Sequence, residues 1–349
     1  MQDLLAYREK VNQSIENFLN RKFDQKKEHH PKIEELLEHI VEFNLRGGKR
    51  IRPLAVIAAY KCFKDDDIIV DASICIEFMQ SYLLIHDDIL DNSDLRRGKP
   101  SMHKIYEAEH VDPYFGKSIA ILAGNLCAAF MYDAILESDF PAEQKIRAIK
   151  ILAEVSEHEN YGQCLDMSPN LSTLSEAEVL KIYQFKTAEY TTRGPVLIGA
   201  ALAGASSLEQ IQALEQYGNR LGIAFQIQDD IQGIFGKVES IGKPNGSDIK
   251  EGKKTLLICK TLEYCTTNER RSILNMYGRK DLCDSKIDKL RTTIQRSGAL
   301  EYCQQLFTRM IHEGKEAISC ALFKDRGRQY LTDIADYISG LSLPSATTK

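Results

Sequence analysis

Tryptophan is absent from this 349-residue chain. Alternating apolar and polar runs bounded by turn residues, the mark of half-buried strands, are scarce. Together these argue against a core built on sheets. No self-similarity at solenoid period appears. The nine cysteines are odd in number and scattered, with no CxxC pair, so neither a zinc site nor a disulfide framework is indicated. Reduced, mostly buried thiols in a cytoplasmic protein are expected. The N-terminal stretch is polar and charged and lacks a signal-peptide apolar core. The longest apolar run, Pro195 to Ala205, is too short to cross a bilayer, so no transmembrane segment is expected. A net charge of −5 gives no reason to expect nucleic acid as a partner. An anionic ligand must then be held by local basic residues.

What is present reads almost throughout at helical period. Leu4, Leu5, Val11, Ile15, Phe18 and Leu19 mark an amphipathic N-terminal helix, which the polar run from Asp24 to His30 ends. Pro31 can open the next helix at its first turn, and that helix stops at Gly47-Gly48. Another starts near Pro53, and others at Pro113 and Pro141. Ser175-Glu176-Ala177-Glu178 and Ser207-Leu208-Glu209-Gln210 fit the capping box and predict further helix starts. Asp65-Asp66-Asp67 falls in a polar break and reads as a helix cap in solvent. The reading is all-α: one domain over 1–342, a bundle of roughly a dozen helices around a central cavity, with a tail 343–349 that frays.

The chemistry concentrates in Asp87-Asp88-Ile89-Leu90-Asp91, followed by Arg96-Arg97. At about 100° per residue, Asp87 and Asp91 lie on nearly one helical face, with Asp88 within a turn of both. Three carboxylates ending an apolar helix call for a cation, and an all-oxygen ligand set favours Mg²⁺ shared with phosphate. Guanidinium groups bind phosphate oxygens bidentately, so the two arginines suit a diphosphate. A lone motif of this kind is as readily a solvated helix end. A second acidic pair, Asp229-Asp230, follows Gln226-Ile227-Gln228 far along the chain, and two such helices facing across a cavity could hold several Mg²⁺ ions. Gly47-Gly48-Lys49-Arg50-Ile51-Arg52 lacks the spacing of a Walker loop, yet it pairs a flexible backbone with Lys49 and Arg52 at a helix start. His86 and His103 read as helix residues turned away from the metal, because imidazole suits softer metals than Mg²⁺.

Taken in order, Gly47 to Pro53, both aspartate motifs, Lys186-Thr187 and the segment from Gly242-Lys243 to Lys253 resemble the trans-isoprenyl diphosphate synthases, most closely the archaeal-type geranylgeranyl synthases. The resemblance covers nearly the whole chain. It implies the isoprenoid synthase fold, a homodimer and about three Mg²⁺ ions per active site. Its reaction would be head-to-tail condensation of isopentenyl diphosphate with an allylic diphosphate. By the same resemblance, Lys49, Arg52, Gln80 and Arg97 would hold isopentenyl diphosphate. Asp87, Asp88, Asp91, Asp229 and Asp230 would hold metal, with Arg96, Lys186, Lys243 and Lys253 on the allylic diphosphate. Thr187 and Gln226 would face the developing cation. Tyr82 and Leu83, five and four places before the first aspartate, would floor the cavity and set a C20 product, with C15 as the runner-up. One departure stands out: where many relatives have DDxxD in the second motif, this chain has Gly233, and Asp248 is a candidate to take over part of the missing carboxylate's role. A class I terpene cyclase and a non-catalytic subunit of a heteromeric synthase are the alternatives.

Overall fold

The computed structural model describes residues 2–26, 30–167, 171–236 and 246–340. Among these the chain forms seventeen α-helices, a π-helical stretch Tyr183–Arg193 and one two-stranded ribbon, Leu95–Arg96 with Lys99–Pro100. The all-α expectation is met, with more pieces than a dozen because several helices are interrupted by single residues, as Ile69–Ser73 is from Cys75–Leu90. Lys243 and the tail 343–349 lie outside the described residues.

Two compact units result. The first comprises Met1–Ala153, Gly194–Ile211 and Leu322–Ile334; the second comprises Glu154–Arg193, Gln212–Ala321 and Ala335–Lys349. In the first unit the N-terminal helix runs Gln2–Lys26 and buries Leu4, Val11, Ile15, Phe18 and Leu19. Pro31 and Pro113 each open a helix, Pro31–Leu45 and Pro113–Leu136. Phe18, Phe78 and Phe130 form one aromatic cluster, with ring centroids 4.8 to 5.9 Å apart. Helix Gly194–Leu202 lies so close to helix Ile51–Lys61 that a Cβ on Gly199 would stand 2.2 Å from the Val56 carbonyl oxygen.

The acidic turn Asp65-Asp66-Asp67 stands in solvent as expected, but its side chains serve another purpose than capping. It caps no helix through a side chain; it surrounds the fully buried ammonium of Lys61. That Nζ donates to the Asp65 and Asp66 carbonyls (2.6 and 2.5 Å) and to the Asp67 carboxylate (2.7 Å), while Asp67 also accepts from Tyr7 and Lys10. A buried cation needs such partners, and Lys61 finds them four to six residues along the chain, whereas Tyr7 and Lys10 reach Asp67 across 60 and 57 residues.

Among the described residues, two stretches are long and apolar enough to cross a membrane by length and composition, Ile69–Leu90 and Pro113–Leu136. The apolar-run count missed both because polar residues interrupt them. Helices Cys75–Leu90 and Pro113–Leu136 pack on each other, and the Ile69–Leu90 stretch is 67% buried within the protein.

In the second unit, glycines again bring backbones together. A Cβ on Gly222 would meet Ala188 Cα at 2.3 Å, and one on Gly162 would meet the Lys186 nitrogen at 2.3 Å. Ser175 forms the predicted capping box with Glu178 and opens helix Glu176–Ile182. The helix then changes to π register over Tyr183–Arg193. Such registers are rare and recur at functional sites.

Candidate active site

The first aspartate motif ends helix Cys75–Leu90, whose Ile76, Phe78, Met79 and Ile85 are fully enclosed. The helix stops at Asp91, whose N–H donates to the Asp87 carbonyl at 2.8 Å. Three carboxylates thus stand at the negative end of a helix dipole, where acids are least favoured. Their environments differ sharply. Asp91 is exposed and the Asp87 side chain is 28% exposed, whereas Asp88 is 0% exposed. Arg96 Nε donates to Asp88 Oδ1 at 2.9 Å, and the same guanidinium lies 3.7 Å from Asp87. Asp88 therefore anchors Arg96, while Asp87 and Asp91 face outward on one side of the helix.

Arg96 reaches back because the chain reverses in a two-residue hairpin, with Leu95 opposite Pro100 and Arg96 opposite Lys99. Its turn residues, Arg97 and Gly98, have φ of 55° and 76°, the left-handed pair that this tight hairpin requires. The turn aims Arg97 at the glycine loop, where Nη1 donates to the Gly47 carbonyl at 2.6 Å. That loop is itself left-handed at Gly47, Gly48 and Arg50, and Lys49 stands exposed on it. With its amide oriented to satisfy both neighbours, Gln80 accepts from Arg52 (3.1 Å) and donates to Glu77 (3.3 Å). Enclosure by protein, and then the charges of Arg50, Arg52 and Arg96, hold the Arg97 guanidinium below its ordinary pKa, with Glu77 opposing. Crowded guanidinium groups of this kind are relieved by an anion.

Arg50, which the sequence reading assigned no role, proves to be structural. It is 4% exposed and pairs with buried Glu77. It also donates to Asn12 Oδ1 (2.9 Å) and the Asn44 carbonyl (3.0 Å).

In the second unit the paired aspartates divide in the same way. On helix Leu208–Phe235, Asp229 is exposed and Asp230 is 3% exposed. Gln226 Nε2 donates to Asp230 Oδ1 at 2.7 Å, the Tyr183 hydroxyl donates to Oδ2, and that hydroxyl accepts from the Leu256 N–H at 2.7 Å. Burial above all, then Asp248 and Asp229, pushes the Asp230 carboxyl well above the usual range, against the hydrogen bonds from Tyr183 and Gln226. Thr187 Oγ1 donates to Gln226 Oε1 at 2.6 Å. A chain of bonds thus fixes Thr187, Gln226, Asp230 and Tyr183. Lys186 pairs with Asp166 at 2.7 Å, and Lys253 pairs with Asp248 at 3.1 Å.

The structure places Asp88 and Asp230, both expected as metal ligands, in the interior, bonded to Arg96 and to Tyr183 and Gln226 respectively. Asp91 and Asp229 are exposed, and Asp87 is half-buried. Alternation within a Asp-Asp pair is a helix-face effect, but which member turns inward depends on packing that the sequence does not display. Tyr183 and Asp166 were not anticipated. Their partners lie 47 and 20 residues away, and no local pattern marks them. His86 does turn from the aspartate face: its Nε2 lies 3.2 Å from the Ile121 carbonyl, and a Cβ on Gly124 would stand 2.4 Å from that nitrogen.

Residues 31–294 match the polyprenyl synthetase family. A short chain isoprenyl diphosphate synthase of Methanocaldococcus jannaschii is 33% identical over 296 residues, covering 84% of this chain and 85% of that one. A geranylgeranyl diphosphate synthase of Saccharolobus solfataricus is 32% identical over 300 residues, covering 85% and 84%. The crystal structure of geranylgeranyl pyrophosphate synthase from Corynebacterium glutamicum, complexed with isoprenyl diphosphate and magnesium, superposes with a TM-score of 0.89 at 31% identity, covering 96% of this chain and 98% of that one. The chain belongs to the polyprenyl synthetase family. It is a prenyltransferase with the all-α fold of the isoprenyl diphosphate synthases.

Proposed function

We propose that the chain condenses isopentenyl diphosphate head-to-tail with allylic diphosphates and releases geranylgeranyl diphosphate, a C20 product. The observation that carries the reading is the pairing, in the first unit, of outward carboxylates at a helix end with a crowd of arginines. Asp87 and Asp91 offer hard oxygen ligands, which fit Mg²⁺. The cluster around Arg97, whose guanidinium is held down by enclosure and then by its cationic neighbours, fits a diphosphate. In the second unit Asp229 offers a further exposed oxygen ligand. Bound there, Mg²⁺ would supply Lewis-acid charge neutralisation on the departing diphosphate.

The chain's own residues do the rest. Lys49, Arg52 and Arg97 bind and orient isopentenyl diphosphate, and Gln80 holds Arg52. Arg96, steadied by Asp88, and Lys186, steadied by Asp166, would each serve the allylic diphosphate, as would Lys253 and also Lys243, which lies outside the described residues. The Thr187–Gln226 bond fixes two oxygen dipoles before reaction begins, which is how a developing cation is stabilised without reorganisation. The allylic carbon then bonds to the terminal alkene carbon of isopentenyl diphosphate, and a proton leaves to the released diphosphate. Asp230, the motif carboxyl that burial raises, is held between Tyr183 and Gln226, so the reading gives the proton to the diphosphate and not to a side chain.

Arg97→Ala should raise KM for isopentenyl diphosphate by about 10- to 100-fold, since a charge-assisted contact contributes roughly 1.5–3 kcal/mol. The allylic KM should move far less. A rise confined to the allylic substrate would assign Arg97 to the other site.

Product length rests on Tyr82. Its ring meets His86 edge-on at 4.9 Å, and His86 is in turn backed by Gly124, contacts that support a stop at this position; Leu83 beside it is buried. Removing the ring by Tyr82→Ala should shift products beyond C20, read by sizing labelled products from dimethylallyl, geranyl and farnesyl starters. An unchanged distribution would remove Tyr82 as the floor. The reading includes a homodimer, supported by Tyr114, Ile121, Leu122 and Leu136, which are exposed apolar side chains on helix Pro113–Leu136. Mass in solution, one chain or two, decides it.

A further inference from the structure

Helix Pro31–Leu45 carries a polar stripe: Glu35, His39 and Glu42, with Arg46 just past its end, follow at intervals of three or four residues and so share one face. The chain from the arginine hairpin into helix Met102–His110 meets this stripe along its length. At the C-terminal end the partners are ordinary cations. Arg46 Nη1 donates to the Pro100 carbonyl at 2.9 Å, and Glu42 pairs with Arg46 at 2.7 Å and with Lys99 at 2.6 Å. Towards the other end the partners change. Glu35 lies 3.9 Å from His110 Nε2, and Glu109 lies 3.6 Å from His39 Nε2. Among the described residues, imidazoles are the basic groups that pair with these two carboxylates. An imidazole beside a carboxylate either holds a proton or joins it in holding a metal.

Glu35, Glu109 and His110 each present one donor atom within 4.8 Å of the other two. Tetrahedral zinc, with bonds of about 2.0 Å, holds its ligand atoms about 3.3 Å apart. Glu109 and His110 are exposed and stand at the end of their helix, so side-chain rotation closes that gap. Tyr106 is the second sign. It is 2% exposed, and its hydroxyl finds no hydrogen-bond partner among the described residues. Its ring lies nearly parallel to that of His110, with centroids 6.5 Å apart, and edge-on to that of His39 at 4.9 Å. Enclosure, and then the charges of Glu35 and Glu109, hold the hydroxyl above the usual tyrosine pKa. A buried donor thus stands beside two carboxylates without bonding either, which is costly. It is the kind of outer partner that a metal-bound carboxylate takes.

We propose that Glu35, Glu109 and His110 form a Zn²⁺ site in the first unit, built from other residues than the aspartate motifs, with His39 steadying Glu109 and Tyr106 donating to a bound carboxylate. The donor set selects the metal. Carboxylates alone suit Mg²⁺ or Ca²⁺, whereas an imidazole among them moves the preference to zinc. One divalent ion also neutralises the two negative charges gathered there. It clips helix Pro31–Leu45 to helix Met102–His110 at the end away from the arginine hairpin, where Arg46 and Lys99 already join the two segments. None of these residues has a part in the prenyl transfer described above, so the site stands independently of that reading.

Four untagged full-length proteins test it: the parent, Glu35→Gln, His110→Ala, and the double variant Asp87→Ala/Asp229→Ala. All are held in excess Mg²⁺, which fills sites made of hard oxygen ligands. Zn²⁺ uptake is read by competition with a chromogenic chelator, and the melting temperature is read with and without Zn²⁺. The parent and Asp87→Ala/Asp229→Ala should each take up one Zn²⁺ that Glu35→Gln and His110→Ala do not, and should melt higher with it. Loss of a ligand's outer partner commonly lowers metal affinity about 10- to 100-fold, so loss of a ligand itself should weaken binding at least about tenfold. In chelator Glu35→Gln and His110→Ala should melt near the parent, which separates a lost site from a damaged fold. Equal Zn²⁺ affinity in the parent and either ligand variant overturns the proposal. So does a parent whose melting temperature Zn²⁺ does not raise, or uptake that disappears only in Asp87→Ala/Asp229→Ala.

Discussion

Asp87→Ala is expected to lower kcat by about 10²-fold or more while leaving the protein folded. Losses of that size follow when a group that stabilises transition-state charge is removed. The folding half of the expectation comes from position. Asp87 stands at the negative end of helix Cys75–Leu90, next to Asp88 and one turn from Asp91, so its removal relieves repulsion. The Arg96 guanidinium lies 3.7 Å from Asp87, and Arg96 keeps its closer bonds to Asp88. Steady-state kinetics in Mg²⁺ buffer, beside a thermal melt, read both halves. Near-parental turnover would mean that Asp87 holds no metal.

The second large effect falls on stability. Arg50→Met should destabilise the protein by about 3–5 kcal/mol, because it leaves Glu77 charged in the interior without its partner. Arg50 also ties three helices: it bonds Asn12 of Gln2–Lys26 and Asn44 of Pro31–Leu45, and it pairs with Glu77 of Cys75–Leu90. Asn44 in turn accepts from Ser81 at 2.7 Å. Replacing both charges, in Arg50→Met/Glu77→Leu, should recover much of the loss, since a buried pair is often no more stabilising than apolar residues of similar volume. Denaturant titration of the three proteins measures it. A single variant within about 1 kcal/mol of the parent would show the pair to be dispensable.

Arg50 and Asp87 mark the boundary of what the sequence discloses. Helix starts were legible where chemistry is local: Pro31, Pro113 and the Ser175 capping box act within one turn, and each stands where expected. The aspartate-bearing helix was legible too, because apolar periodicity and its polar ending lie in one stretch. Burial was not. Nothing in Gly47-Gly48-Lys49-Arg50-Ile51-Arg52 distinguishes the arginine sealed against Glu77 from the lysine left in solvent. Nothing in Asp87-Asp88 or Asp229-Asp230 shows which acid turns inward to Arg96 or to Tyr183. Those choices are made by partners tens of residues away. The same holds for Lys186, whose helix was foreseen but whose π register was not. Gly233 is the instructive case: the sequence showed a carboxylate missing and named Asp248 as a candidate, and the structure sets the Asp248 carboxylate where a side chain at 233 would begin.

The central claim is that this chain alone joins isopentenyl diphosphate to an allylic diphosphate. Its most direct test is to incubate the purified protein with labelled isopentenyl diphosphate and Mg²⁺, with and without an allylic starter, and to extract the lipid product. Label should enter a prenyl diphosphate only when both substrates and Mg²⁺ are present. Consumption of the allylic diphosphate at the same rate without isopentenyl diphosphate, or no incorporation until a second protein is added, would contradict it.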